Sequence, residues 1–159
     1  MKGRYWYNMF FTPEIVEEIH KVNKHATVEN SYLNSLLDEN GCLTIYHGHC
    51  KPTMRGSHSW TLNKDIAMWF GARSALFNRS HDFYCVTGKV RLNDVIAYIT
   101  EGNEDEIAVL QRNVKSKSKE FHKESDVDIE ALRRSFGWDG YKGEDSINGV
   151  SNKGGDLCG

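Results

Sequence analysis

Three acidic residues stand immediately before an apolar run in the second half of this 159-residue chain. In Glu104-Asp105-Glu106 the two glutamates are two positions apart, so an extended backbone would send both carboxylates to one face and Asp105 to the other. Carboxylates on one face can stabilise a positive charge that develops in a transition state, or activate an incoming nucleophile. The alternative is an acidic surface turn without chemistry, which is what short acidic runs usually form.

Two small hydroxyl residues, Ser59 and Thr61, flank Trp60 about 45 positions before the acidic segment, and a helical apolar pattern follows them. Hydroxyl side chains there can hydrogen-bond a strand edge and orient a neighbouring carboxylate. Helix N-caps also favour serine and threonine, so capping is the competing interpretation.

The segment Tyr46-His47-Gly48 ends an apolar run that is rich in β-branched and aromatic residues. A structural histidine beside a turn glycine is its ordinary interpretation. His47 also begins a set of zinc-type donors that continues with His49, Cys50 and His58. Their spacing matches no common zinc pattern, so the sequence predicts no metal site.

In this order the three segments resemble the catalytic frame of the mono-ADP-ribosyltransferase superfamily, whose members cleave NAD. The resemblance covers about residues 42–112 and includes the Ser-x-Thr and E-x-E patterns of the arginine-modifying enzymes. It implies a glycosyltransferase with NAD as cosubstrate and a protein acceptor. By this resemblance Glu106 bonds the ribose 2′-hydroxyl and stabilises the ribosyl cation, while Glu104 faces the acceptor.

The same resemblance assigns NAD binding to the end of the first core strand and to the hydroxyl segment. Ser59 would be catalytic as well, since it sets the geometry of the glutamate. The implied NAD-binding residues are Tyr46, His47, Gly48, Ser59 and Thr61.

His47 departs from the arginine-modifying pattern, which carries arginine at this position. Histidine is typical of the branch that contains diphtheria toxin and the poly-ADP-ribose polymerases. The acceptor residue therefore stays open between arginine and another group. Arg55 or Arg73 could supply a phosphate contact instead, and the sequence does not choose between them.

Apolar periodicity and capping residues predict the elements that position these segments. Helices are expected from Thr12-Pro13 with Ile15, Ile19 and Val22 on one face, over Val28 to Asp38, from Asn63 or Asp65, and over Asp126 to Phe136. Strands are expected at Leu43 to His47, around Tyr84 to Leu92, at Val95 to Ile99 and at Ile107 to Leu110. This order predicts an α+β fold with mainly antiparallel sheets. The resemblance implies that these form a split pair behind N-terminal helices.

The length predicts a single domain over residues 1–136, followed by a glycine-rich tail over 137–159 whose last ten or so residues we expect to be mobile. A net charge of −2 argues against nucleic acid as a partner. The one basic cluster, Lys115 to Lys123, is interpreted as a solvated connector. The chain contains no apolar run of membrane-spanning length and no secretory pattern, and its four cysteines form no CxxC pair, which predicts reduced thiols and a cytoplasmic protein.

Two other functions fit parts of the pattern. The same fold could act as a non-catalytic module that inhibits a partner protein by surface contact. An NAD-consuming enzyme that removes RNA 2′-phosphates would need further basic residues in place of the glutamate pair. A phage or bacterial effector that acts in a host cytoplasm would suit the small size.

Overall fold

The computed structural model describes residues 13–50 and 58–138. Its α-helices are α1 (Pro13–Val28), α2 (Ser31–Ser35), α3 (Lys64–Phe77) and α4 (Ile129–Ser135). Its strands are β1 (Cys42–His49), β2 (Ser59–Thr61), β3 (Asp82–Arg91), β4 (Val95–Ile99), β5 (Glu106–Val109) and β6 (Lys115–Lys123). Short 3-10 turns link several of these strands.

The six strands form one sheet in the order β4-β5-β2-β1-β3-β6, with each neighbouring pair antiparallel. The α+β class and the antiparallel character are therefore confirmed. The expected pair of separate sheets is replaced by one sheet with a narrow junction. At that junction β1 meets β2 through the single register pair Tyr46–Thr61, whereas β1 pairs with β3 along the whole length of β1.

Each face of the sheet is covered by a different set of apolar groups. On one face the core residues include Leu33 from α2 and side chains of four strands: Leu43, Ile45, Trp60, Val86, Val90, Ile107 and Val109. On the other face lie α1 and α3. Val16 of α1 packs with Ile96 and Ala108, and Ala72 of α3 packs with Phe83.

Helix α3 begins where its sequence predicts. The Asn63 side chain accepts a hydrogen bond from the Asp65 main-chain N–H, which caps the first turn. Trp69 is buried and forms an edge contact with Phe70, so both belong to the apolar face of this helix.

The first two helices differ from their sequence patterns in detail. In α1 the buried apolar residue is Val16, while Val22, expected on the apolar face, is 78% exposed. The second helix is shorter than the expected span of Val28 to Asp38. Asn30 caps it at its start, and the chain turns after Leu36 so that the Asp38 carboxylate can accept the main-chain N–H groups of Asn40 and Cys42.

Lys115 to Lys123 is largely exposed, as expected, but the interpretation of this segment as a connector is wrong, because it is strand β6. It pairs with β3 along most of its length, from Asp82–Lys123 to Lys89–Lys115. An edge strand bonds to a single neighbour and can leave its side chains in solvent, so it needs little apolar content.

The expectation of reduced thiols holds for Cys42 and Cys85, which are free. It is wrong for Cys50, which is disulfide-bonded. Among the described helices, none has the length and apolar content needed to cross a bilayer. The predicted glycine-rich tail lies outside the described residues from position 139 onward, whereas Trp138 is buried against the ring of Trp69.

Candidate functional site

Three of the sequence-predicted site residues lie side by side in one row across the sheet. Thr61 of β2 is the register partner of Glu106 on β5 and of Tyr46 on β1. Residues opposite one another in a sheet project to the same face, so Tyr46, Thr61 and Glu106 share one face. Alternation along β2 adds Ser59 to that face, two positions beyond Thr61.

Ser59 and Glu106 are in direct contact. The Ser59 hydroxyl donates a hydrogen bond of 2.6 Å to Oε1 of Glu106. Glu106 is only 8% exposed, so this bond holds its carboxylate in one orientation in a largely dry environment. A hydroxyl-to-carboxylate bond of this length falls in the strong, charge-assisted range. The geometry is that of a carboxylate oriented by the serine of the Ser-x-Thr segment.

His47 reaches the same serine from the other strand. Its Nδ1 lies 2.9 Å from the main-chain oxygen of Ser59, and because a carbonyl only accepts, Nδ1 carries the proton. The ring lies 5.6 Å from that of Trp60, on the face opposite Tyr46. The bond forms where β1 and β2 cease to pair, so His47 joins the two strands with a side chain in place of a main-chain ladder.

The acidic segment does not have the extended backbone on which its predicted alternation depends. Asp105 has a φ of 45°, in the left-handed region, and Glu104 has helical angles, so the chain turns before β5 begins at Glu106. The argument that alternation places both glutamates on one face is therefore wrong. Both side chains are nevertheless buried, and the Thr61 hydroxyl donates to the Glu104 main-chain oxygen at 2.7 Å.

Two aromatic residues outside the three sequence segments, Tyr98 and Trp138, hold this turn. The Tyr98 hydroxyl donates a 2.9 Å hydrogen bond to the Asp105 carboxylate, and the Trp138 indole N–H donates to the Gly102 carbonyl at 2.9 Å. Burial and the hydrogen bond to Asp105 raise the pKa of Tyr98, so its hydroxyl remains a donor at neutral pH. No local sequence signal marks either contact, since Trp138 comes from beyond α4.

Gly48 lies under helix α3. A Cβ at this position would overlap the main-chain oxygen of Ala67 and lie 2.7 Å from the main-chain nitrogen of Gly71. The absence of a side chain at Gly48 is thus accounted for by the close approach of α3 to β1. This packing also fixes the position of the helix that follows the Ser-x-Thr segment.

His49 is buried beside the site, and neither of its ring nitrogens has a hydrogen-bond partner among the residues that the structure describes. Its ring stacks on Tyr84 at 5.7 Å. Burial, with a smaller contribution from the charge of Lys119, lowers the pKa of His49 to about 4. No cluster of three or more metal-type donors exists within residues 13–50 and 58–138.

Of the two arginines considered for a phosphate contact, only Arg73 lies within the described residues. Arg73 lies over the rings of Trp69 and Phe77, at 4.9 and 5.2 Å, on α3. Arg55 lies outside the described residues, in the segment 51–57 that connects β1 to His58.

A shallow cavity of about 310 Å³ opens at the other end of β1, between residues such as Leu37, Gly41 and Leu92. None of the candidate site residues lines it. The cavity is lined by Arg91, Asn40 and Asn93 together with apolar residues, but by no carboxylate, so the candidate site is the hydrogen-bonded group around Ser59 and Glu106.

Comparison with known proteins adds no assignment: no protein-family model, no curated protein and no solved structure matches this chain.

Proposed function

We propose that this chain is an NAD-dependent mono-ADP-ribosyltransferase in which Glu106 stabilises the transferred ribosyl group. The observation that carries the proposal is the 2.6 Å hydrogen bond from Ser59 of β2 to Glu106 of β5, next to the junction where one residue pair joins β2 to β1. The resemblance in sequence predicts a serine that orients a glutamate. The structure brings together those two residues, which lie 47 positions apart.

Cleavage of NAD breaks the bond between ribose C1′ and the nicotinamide nitrogen. The nitrogen takes the bonding electron pair and leaves as neutral nicotinamide, so the ribose becomes cationic. A carboxylate bonded to the ribose 2′-hydroxyl favours this state more than the ground state, because the attraction grows with the developing charge. A nucleophile then bonds to C1′ and loses its proton.

The surroundings of Glu106 suit this role. Its carboxylate keeps one oxygen on the Ser59 hydroxyl and has the second oxygen for a ribose hydroxyl. Since Glu106 is 8% exposed, little water competes for its charge, and electrostatic attraction is stronger in such a site than in bulk solvent. Preorganisation by Ser59 means that no free energy is spent on orienting the carboxylate during the reaction.

The dinucleotide would lie across the junction between β1 and β2. His47, which the resemblance implies for NAD binding, is anchored to the Ser59 carbonyl through Nδ1 on the opposite face of the sheet from Glu106, so a dinucleotide that contacts both would pass the point where β1 and β2 cease to pair. On the β5 side, Glu106 would meet the ribose that carries nicotinamide. Glu104, buried on the turn before β5, is the candidate for the acceptor side, and the acceptor residue stays open between arginine and another group.

The test measures nicotinamide release and label transfer from NAD that is labelled in its adenosine part, with a bacterial lysate as the source of acceptor. Glu106→Gln should lower the rate of both by at least a hundredfold, since the lost interaction belongs to the transition state. NAD affinity should stay within about tenfold of the unmodified protein. Glu101→Gln, on an exposed glutamate five positions away, is the matched control and should keep full activity.

Two results would count against the proposal. A Glu106→Gln protein that retains half of the original rate would exclude the carboxylate from the chemistry. Absence of NAD binding by calorimetric titration of the unmodified protein would favour the non-catalytic binding module.

A further inference from the structure

Strand β6 displays a regular row of side chains on one face of the sheet. Lys119, Phe121 and Lys123 are the register partners of Val86, Tyr84 and Asp82 on β3, and alternation puts the three on one face. Lys117 joins them beyond the bulge, since its Cγ lies 3.6 Å from where a Cβ of Gly88 would stand. We call Lys117, Lys119, Phe121 and Lys123 the basic stripe.

The basic stripe combines cations with an exposed aromatic ring. Its three lysines are exposed, and Phe121 is 57% exposed. The ring of Phe121 forms an edge contact with Tyr84 at 5.4 Å, and the Lys119 ammonium lies 5.7 Å from the centre of the Tyr84 ring. Along the strand the stripe spans roughly 20 Å, at about 3.3 Å per residue.

Lysines on an edge strand have a structural explanation, because their charge prevents pairing with another chain. That explanation does not extend to Phe121. A large exposed aromatic residue on a sheet edge favours association, so it opposes the protection that the lysines give. A ligand that is both anionic and able to stack would use all four side chains.

We propose that the basic stripe binds single-stranded nucleic acid, with phosphates on the lysines and a base stacked on Phe121. Single-strand binding sites combine a positive track for the backbone with aromatic platforms for the bases. An acidic peptide would match the lysines but would not use the stacking surface. The whole chain has a net charge of −2, which is why overall charge argued against nucleic acid. The three lysines of the basic stripe nevertheless give this one surface a local excess of positive charge.

The test is fluorescence anisotropy of labelled oligothymidylate of about twelve nucleotides, without NAD. Three phosphate contacts predict a slope of about −2 in a plot of log affinity against log salt concentration. The triple variant Lys117→Glu, Lys119→Glu, Lys123→Glu should weaken binding by more than tenfold. Phe121→Ala should weaken it by about five- to hundredfold, while Phe121→Trp should preserve it.

The matched control is a triple variant with the same change of charge on exposed cations elsewhere: Lys24→Glu, Arg79→Glu and Arg91→Glu. It should bind as the unmodified protein does. The stripe variants replace exposed side chains, and thermal unfolding checks that each remains folded.

Several results would overturn the proposal. If the stripe variant and the control variant lose affinity for the oligonucleotide equally, binding depends on net charge alone. A duplex bound as tightly as the single strand, or a Phe121→Ala protein with unchanged affinity, would remove the stacking role. Competition by polyglutamate with no effect of Phe121→Ala would indicate an acidic protein partner. None of these readouts depends on NAD cleavage, so failure here is distinct from failure of the proposed activity.

Discussion

The hydroxyl of Ser59 and the carboxylate of Glu106 form a 2.6 Å hydrogen bond between two adjacent strands. Three register pairs join β2 to β5. Ser59 is opposite Ala108 and Glu106 is opposite Thr61, so the bond between Ser59 and Glu106 runs diagonally across the two strands. The short strand β2 therefore connects Glu106 to the rest of the sheet by main-chain and side-chain bonds together.

Ser59→Ala tests the orienting role of the hydroxyl. A hydrogen bond to a charged group contributes about 1.5 to 3 kcal/mol, so we expect nicotinamide release to slow by about ten- to hundredfold. NAD affinity should change little, because the bond positions Glu106 and does not itself hold the cofactor. Rates measured under saturating NAD provide the check. The control is Ser80→Ala, whose hydroxyl bonds only the nearby Asp82 main chain among the described contacts.

Tyr98→Phe tests the anchor of the turn between the two glutamates. Loss of its bond to Asp105 should lower the free energy of unfolding by about 1 kcal/mol in a denaturant titration. Transfer to the acceptor should fall severalfold with unchanged NAD affinity, since the turn carries Glu104. Tyr32→Phe is the control, because the Tyr32 ring packs on Tyr98 at 6.2 Å. If the Tyr98→Phe protein transfers ADP-ribose to the acceptor at an unchanged rate, the turn has no role in the acceptor chemistry.

Gly48→Ala distinguishes a packing role for this glycine from a ligand role. The added methyl group would overlap the backbone of α3, so we expect a loss of stability of about 2 to 3 kcal/mol or more. Gly41→Ala has open space around its Cβ position but a φ of 72°, and should cost only about 1 kcal/mol. Thermal unfolding of the Gly48→Ala and Gly41→Ala proteins compares the two losses of stability. A stable Gly48→Ala protein that binds NAD weakly would refute the packing account.

His49 predicts a pH dependence of stability. Because its pKa in the folded protein is about 4, below the ordinary value of 6.5, only the unfolded chain takes up this proton between those values. The free energy of unfolding should therefore fall as pH decreases from 6.5 to 4. His49→Leu should flatten that part of the profile, measured by urea titration at each pH. An equivalent change at the exposed His81 is the control, and an unchanged slope in the His49 variant would contradict the prediction.

The elements that sequence predicted well are those with a local physical signal. Helix α3 has the cap at Asn63 and apolar residues at helical spacing, so its start needed no tertiary information. Strand β6 has no such signal. Its lysines and serines would suit a loop, and only main-chain pairing with β3 makes them a strand.

Within the site, sequence could propose Ser59 and Glu106 but not their contact. Register between strands 47 positions apart depends on how the whole sheet assembles. The left-handed backbone of Asp105 breaks the period of two that an extended chain would follow, so alternation predicted the wrong geometry there. Tyr98 and Trp138 support this turn from elsewhere in the fold, and no pattern near either residue indicates it.

Because a single residue pair joins β1 to β2, we expect the two parts of the sheet on either side of it to open as separate units. Ser59 and Glu106 belong to the unit of β2, β4 and β5, whereas His47 belongs to the unit of β1, β3 and β6. A ligand that binds residues of both units would hold the two units together. Amide hydrogen exchange should then slow on both sides of the junction when such a ligand is bound.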